Sequence, residues 1–356
     1  NTQPNIEAIE SPELRAILGL EMDSARIEAQ YFDDKVSVTV VADGLNLNQK
    51  SLIDQNLKKH FADRADSRRI VVDFRKATKS DSPAPRPKMK NPFGLNMSPQ
   101  PIPGVDRIIA VASGKGGVGK STVAANLAVS LASLGWKVGL LDADIYGPSV
   151  PTMFGVGGPM GVDAGSNQLK PRYNHGVALV SFGFLADVED PVIWRGPMVS
   201  KAFSQFCFDV SWGSLDALIL DLPPGTGDIQ LTMIESLKIS TALIVTTPQD
   251  VALIDAHKAV SMFEKLNVPI IGMVENMSVH RCGQCGHEER IFGGEEDILS
   301  FSTEREIPII TSIPLKGRIR RNSDLGIPVA CERVVDSEAY YCLAERLMEG
   351  LLDTKN

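Results

Sequence analysis

The chain has 356 residues, enough for one large domain and a smaller one beside it. Its 36 Lys and Arg stand against 44 Asp and Glu, a net charge of −8, so the surface as a whole repels DNA and anionic lipid, and neither nucleic acid nor membrane is expected as a partner. No apolar run reaches the roughly 20 residues that span a bilayer. Residues 1–20 are acidic with no leader pattern, and five cysteines in so long a chain suggest a reducing, cytoplasmic setting rather than a disulfide framework.

In chain order, residues 1–77 read as a small α/β domain. A short helix is expected over 12–20, strands over 25–30, 35–41 and 69–74, and a helix over 47–61 with apolar positions at Leu52, Ile53, Leu57 and Phe61. Residues 78–104 carry seven prolines and no apolar face, the composition of an extended linker. From 105 to 356, continuously apolar strands (137–141, 177–182, 217–220, 242–246 and 270–274) alternate with helical stretches. Strands that do not alternate are buried on both faces, so the expected fold class is α/β, a mostly parallel sheet flanked by helices, preceded by the small α+β domain. Ligands of such sheets bind beyond the carboxyl ends of the strands.

The most specific stretch follows the first of these strands. Gly114, Gly119, Lys120 and Ser121 fit G-x-x-x-x-G-K-[ST], the phosphate-binding loop. The backbone from Gly114 through Lys115, Gly116, Gly117, Val118 and Gly119 to Thr122 is expected to wrap phosphate oxygens at a helix N-terminus. Lys120 reaches the terminal phosphates and the Ser121 hydroxyl can ligate Mg²⁺.

Two strand ends supply carboxylates. Asp142 and Asp144 are one residue apart and share a side if their strand continues; Asp142 fits a Mg²⁺-water contact. Asp221 ends an apolar strand before Pro-Pro-Gly-Thr-Gly, a Walker B carboxylate for Mg²⁺ with a switch-like turn after it. Asn276 arrives at the same rim as a partner for an adenine edge. With no Asn-Lys-x-Asp string in the chain, ATP is expected rather than GTP.

The sequence Val-His-Arg-Cys-Gly-Gln-Cys-Gly-His at 279–287, the first part of a loop read over 279–292, brings Cys282 and Cys285 within reach of one metal. Two further ligands are required. Either His287 or His280 helps to complete a one-chain zinc site, or two chains each contribute both thiolates to a shared centre. Cys207, Cys331 and Cys342 stand among apolar residues and read as core. Arg318, Arg320 and Arg321 read as a solvated helix end, and 335–352 as an acid-rich amphipathic helix without the basic face of a membrane binder.

The early Lys115 makes the phosphate loop resemble the deviant Walker A of ParA/MinD-like and nitrogenase-iron-protein-like ATPases. Together with Asp-Ala-Asp-Ile-Tyr-Gly-Pro-Ser at 142–149, Trp-Arg-Gly-Pro-Met at 194–198, the 212–228 segment and Glu-Asn-Met-Ser before C-x₂-C-G-H, residues 105–350 resemble the Mrp/ApbC-type iron–sulfur carrier ATPases. The resemblance implies a homodimer whose catalytic residues are Lys115, acting on the partner's nucleotide, Lys120, and Asp144, positioning the attacking water. It implies slow ATP hydrolysis and a labile [4Fe–4S] cluster held by Cys282 and Cys285 of both subunits. A cluster assembly scaffold would be the donor and apo iron–sulfur proteins the recipients. Gly283 departs from the family's usual proline, which implies a looser loop. The competing class is a ParA/MinD-like positioning or partition ATPase with a structural zinc at the cysteines.

Overall fold

The computed structural model describes residues 5–8, 26–31, 35–41, 53, 55–59, 69–75, 99–163, 165–185 and 196–353. The chain divides into two compact units, Asn1–Met89 and Lys90–Asn356.

In the first unit, β1 (Asn5–Ala8), β2 (Arg26–Tyr31), β3 (Lys35–Val41) and β4 (Arg69–Arg75) form one sheet in that order. β1–β2 and β2–β3 are antiparallel, and β3–β4 run parallel. Val36, Val38 and Val40 alternate onto one buried face, as the period of a strand requires. Residues 53 and 55–59 are helical, with Ile53 and Leu57 buried four apart on one helical face. The helix expected over 12–20 lies outside the described residues.

In the second unit a nine-stranded sheet is built from β5 (Ile108–Ala112), β6 (Val138–Asp142), β9 (Arg172–Asn174), β10 (Val177–Ser181), β11 (Ala217–Asp221), β12 (Thr241–Thr246), β13 (Ile270–Arg281), β14 (Glu288–Glu289) and β15 (Ile309–Leu315). The order is β14-β13-β12-β5-β11-β6-β10-β9, with β15 also on β13. β9 and β14 pair antiparallel with their neighbours and the remaining pairs are parallel. A separate short ribbon joins β7 (Gly161–Val162) to β8 (Leu169–Lys170).

The helices are α1 (Lys120–Ser133), α2 (Val150–Met153), α3 (Gly196–Phe208), α4 (Asp228–Ser236), α5 (Asp250–Lys265), α6 (Glu295–Arg305), α7 (Gly317–Asp324) and α8 (Glu338–Asp353). Every residue of β5, β6, β10, β11 and β12 is buried, which is why these strands lack polar alternation. α1 packs on the sheet with one side and on α8 with another. Its small residues Ala124, Ala125 and Ala128 are wholly buried, and Asn126 is satisfied there, donating to the Thr122 carbonyl (2.8 Å) and accepting from the Ala330 N–H (3.0 Å).

Residues 99–104, read above as the end of the linker, are anchored at two points: Ile102 is buried, and the Gln100 N–H donates to the Ser236 carbonyl (3.0 Å). β13 runs past the apolar segment ending at Val274 to Arg281: β12 pairs with it through Glu275, β15 through Asn276 and again at His280, and β14 at His280 and Arg281. The parallel registers align the carboxyl ends: Asp221 lies opposite Val111 and Asp142, and Asp142 opposite Ser181. This rim carries the site.

Candidate nucleotide site and cysteine hairpin

Gly117 and Gly119 both adopt φ near +84°, a region that L side chains avoid, so the loop between β5 and α1 turns tightly enough to present its N–H groups. Gly114 lies so close to the backbone of Asp255 in α5 that any side chain there would overlap it. The Ser113 hydroxyl donates to the Lys115 carbonyl (2.9 Å), and the Ser113 carbonyl accepts from the Gly225 N–H (3.1 Å), tying the loop to the turn after β11. That turn is pinned by Gln230, whose amide donates to the Pro223 carbonyl and accepts from the Gly227 N–H. Lys115 itself is exposed.

Lys120 is buried and forms an ion pair with the Oδ1 of Asp221, and its Nζ lies 3.1 Å from the Ser121 hydroxyl. The other oxygen of Asp221, Oδ2, is buried without a hydrogen-bond partner. An open carboxylate oxygen with a hydroxyl nearby suits a hard, oxygen-seeking dication, so Asp221 and Ser121 fit Mg²⁺.

Asp142 is differently placed. Its oxygens accept from the N–H groups of Asp144 (3.1 Å), Ser149 (3.1 Å) and Val150 (3.1 Å) and from the Ser181 hydroxyl (2.9 Å). Burial and the neighbouring Asp221 carboxylate push its pKa up to about 7, against the Val150 and Ser181 donors and Lys120. The strand stops at Asp142 because its carboxylate folds the chain back on itself. Asp144 therefore does not share its side by strand alternation, and stands half-exposed in the loop, accepting from the Gly147 N–H (3.2 Å).

Asn276 is buried, and one N–H of its amide donates to the Val118 carbonyl (2.7 Å), which ties this strand to the phosphate loop. Beyond it β13 becomes the first arm of a hairpin with β14, pairing His280 with Glu289 and Arg281 with Glu288. The cysteines occupy the tip. The Cys282 N–H donates to the His287 carbonyl (2.9 Å) and the Gly286 N–H to the Cys282 carbonyl (3.0 Å). The N–H groups of Cys285 and Gln284, then the Cys285 thiol, hold the Cys282 thiol below its ordinary pKa, which favours the thiolate that metals bind. Cys285 is exposed and Cys282 half-exposed. Among the described residues no three His, Cys, Asp or Glu side chains are placed together to hold a metal.

A model of the family described as ParA: NUBPL iron-transfer P-loop NTPase matches residues 104–348. The chain belongs to this family. It is 50% identical over 229 residues to the iron-sulfur cluster carrier protein of Aquifex aeolicus, covering 64% of this chain and 63% of that one, just under two thirds of the relative's length. It is 47% identical over 269 residues to the protein of the same name from Escherichia coli K12, covering 74% of this chain and 70% of the relative. Among solved structures it is similar to the nucleotide-binding protein of Archaeoglobus fulgidus in complex with ADP, with 37% identity and a TM-score of 0.58 over 67% of this chain and 93% of that one.

The P-loop NTPase fold thus places Gly114–Ser121, Asp221, Asp142, Asp144 and Asn276 on one rim, with Cys282 and Cys285 in the turn that follows the strand carrying Asn276. Further residues support the hairpin through contacts that their sequence context does not announce. Glu275 is buried, pairs with Arg290 (3.2 Å) and accepts from the Ser312 hydroxyl (2.5 Å), and Arg290 also reaches Glu295 (2.9 Å), clamping the base of the hairpin. Cys207 is buried as expected, and its thiol is pushed above the ordinary range. Cys331 and Cys342 are half-buried rather than core, because they sit at the edge of α8 and the turn before it. Arg318 and Arg320 pair with Glu332 and Asp324 on an exposed surface. Trp194 and Arg195 lie outside the described residues.

Proposed function

We propose that this P-loop NTPase carries an iron–sulfur cluster between two copies of the chain and hydrolyses ATP slowly to load or release it. The supporting observation is the cysteine hairpin: two accessible thiols, one biased toward thiolate, at the tip of the strand that also holds the phosphate loop. Two thiols are half of a four-thiolate set, and the chain offers no third ligand beside them among the described residues. A second copy supplies the missing pair, giving a shared [4Fe–4S] centre. The names of the relatives, iron-sulfur cluster carrier proteins, support iron as the cargo. An assembly scaffold would be the donor and apo iron–sulfur proteins the recipients.

In this reading the loop N–H groups and Lys120 bind the ATP phosphates, exchanging the Lys120–Asp221 pair for a phosphate contact. Asp221 and Ser121 would hold Mg²⁺, which when bound neutralises phosphate charge. Half-exposed Asp144 orients the attacking water. Exposed Lys115 reaches across to the partner's nucleotide. All five cysteines are free, which suits a reducing cytoplasm, and among the described residues no helix is long and apolar enough to cross a membrane.

Anaerobic reconstitution with ferrous iron and sulfide tests the assignment. Cys282→Ala should lose the visible absorption of the cluster and keep nucleotide binding, and Lys120→Ala should do the reverse. Equal cluster loading in wild type and Cys282→Ala would reject it, and a colourless zinc-loaded protein would favour the structural-metal alternative.

A further inference from the structure

We infer that Asn276 and Met277 are positioning residues that transmit the state of the phosphate loop to the cysteine hairpin within one chain. The last step of this inference rests on the carrier reading; the mechanical coupling does not. The Asn276 amide is buried and donates to Val118 (2.7 Å). At Gly119 a side chain would overlap the Asn276 amide nitrogen and would lie 3.6 Å from the Met277 methyl carbon. Residues 118 and 119 of the loop therefore lie against Asn276, and the Met277 methyl faces the space that a side chain at 119 would enter.

Met277 has φ +56°, a left-handed conformation that non-glycine residues seldom adopt, and its neighbours hold it there. Between Asn276 and His280 the pairing with β15 advances only from Ile313 to Leu315, so β13 bulges at Met277 and is re-aimed toward the hairpin. On the other side of Asn276, Glu275 is fixed by Arg290 and by the Ser312 hydroxyl. A displacement imposed on Asn276 thus meets an anchored residue before it and an irregular segment after it, and moves the segment that leads to Cys282. For this coupling, phosphates filling the loop must turn the peptide units between Gly117 and Gly119, both held at positive φ, and with them the Val118 carbonyl to which Asn276 donates. Coupling of this kind is reciprocal: whatever the cysteines bind alters nucleotide affinity by the same factor.

The test begins with the metal-free full chain, by hydrogen exchange at the Cys282 and Gly286 amides with and without ADP and Mg²⁺. Exchange in the wild type should change by about fivefold or more, the lower end of usual coupling between sites. Met277→Gly keeps the left-handed backbone and removes the side chain that faces Gly119, and should abolish the response. Met277→Ala, which adds no glycine freedom, should greatly reduce it, and Met277→Leu should restore it. An unresponsive wild type, or a full response in both Met277→Gly and Met277→Ala, overturns the inference. In a second arm, nucleotide affinity is compared between reconstituted and metal-free protein, and the ratio should fall toward one in Met277→Gly. A wild-type ratio of one overturns the inference. Failure to load any cluster would instead count against the carrier reading and leave the exchange result standing.

Discussion

Gly117→Ala and Gly119→Ala form a matched pair that separates backbone cost from contact cost in the phosphate loop. Both residues sit at φ +84°, but an alanine methyl at 117 meets nothing within 4 Å, whereas one at 119 overlaps the Asn276 amide. Forcing alanine into the left-handed region costs roughly 1–2 kcal/mol, and the lost glycine entropy of the unfolded chain returns about 0.4–1 kcal/mol of that. Gly117→Ala should therefore destabilise by about 1 kcal/mol. Gly119→Ala adds the displacement of a buried donor from the Val118 carbonyl, which costs about 1–3 kcal/mol more. For a body of this size each kcal/mol lowers Tm by roughly 2–4 °C, so the variants should melt several degrees apart. The assay is thermal and urea unfolding of the nucleotide-free protein, which excludes effects on ligand binding. Equal destabilisation by the two substitutions would refute the claim that Asn276 rests on the loop.

Three further outcomes follow from the electrostatics and the hairpin. Alkylation at neutral pH, followed site by site in mass spectra, should modify Cys282 fastest, Cys331 slowly with its thiol pushed up to about 11, and buried Cys207 last; faster labelling of Cys331 than of Cys282 would contradict the assigned environments. The folded Asp142 carboxyl titrates near 7 against 3.8 unexposed to the fold, so its contribution favours the native state below about pH 4 and is lost as pH rises through about 7. Wild type should accordingly lose stability relative to Asp142→Asn across that interval, and parallel stability curves would sink the assignment. At Gly283 a side chain meets open space, so Gly283→Pro should be tolerated, rigidify the hairpin and slow cluster loss to a chelator; unchanged or faster loss would count against a flexible tip.

The local motifs were legible because their chemistry is contiguous. Gly114 to Ser121 reads as a phosphate loop from spacing alone, and the apolar strands ending at Asp142 and Asp221 announce a buried parallel sheet. What the sequence concealed is what pairs distant segments. Asn276 reaches Val118 across 158 positions, Ser181 reaches Asp142 across 39, and Ser312 reaches Glu275 across 37, and each link depends on strand register rather than on local pattern. β13 continues through Glu275, Asn276 and Ser278, which are polar and interrupt the apolar run although all three are buried, so burial there cannot be read from hydropathy. The alternation that would put Asp144 on the side of Asp142 requires the strand to continue, and it ends at Asp142, whose carboxylate gathers the following N–H groups.

These links bring one consequence into focus: a single strand serves the nucleotide loop at Asn276 and presents the thiols at Cys282 and Cys285. Two thiols per chain cannot fill the coordination of a cubane cluster, so the chain's stoichiometry is part of the chemistry. The most direct measurement is native mass spectrometry of the anaerobically reconstituted protein, read beside its iron content and visible absorption. The account predicts one [4Fe–4S] cluster per dimer and none on the monomer, with dimer-bound iron lost in Cys282→Ala. A coloured monomer holding a full cluster, or a dimer that binds iron without Cys282, would contradict it.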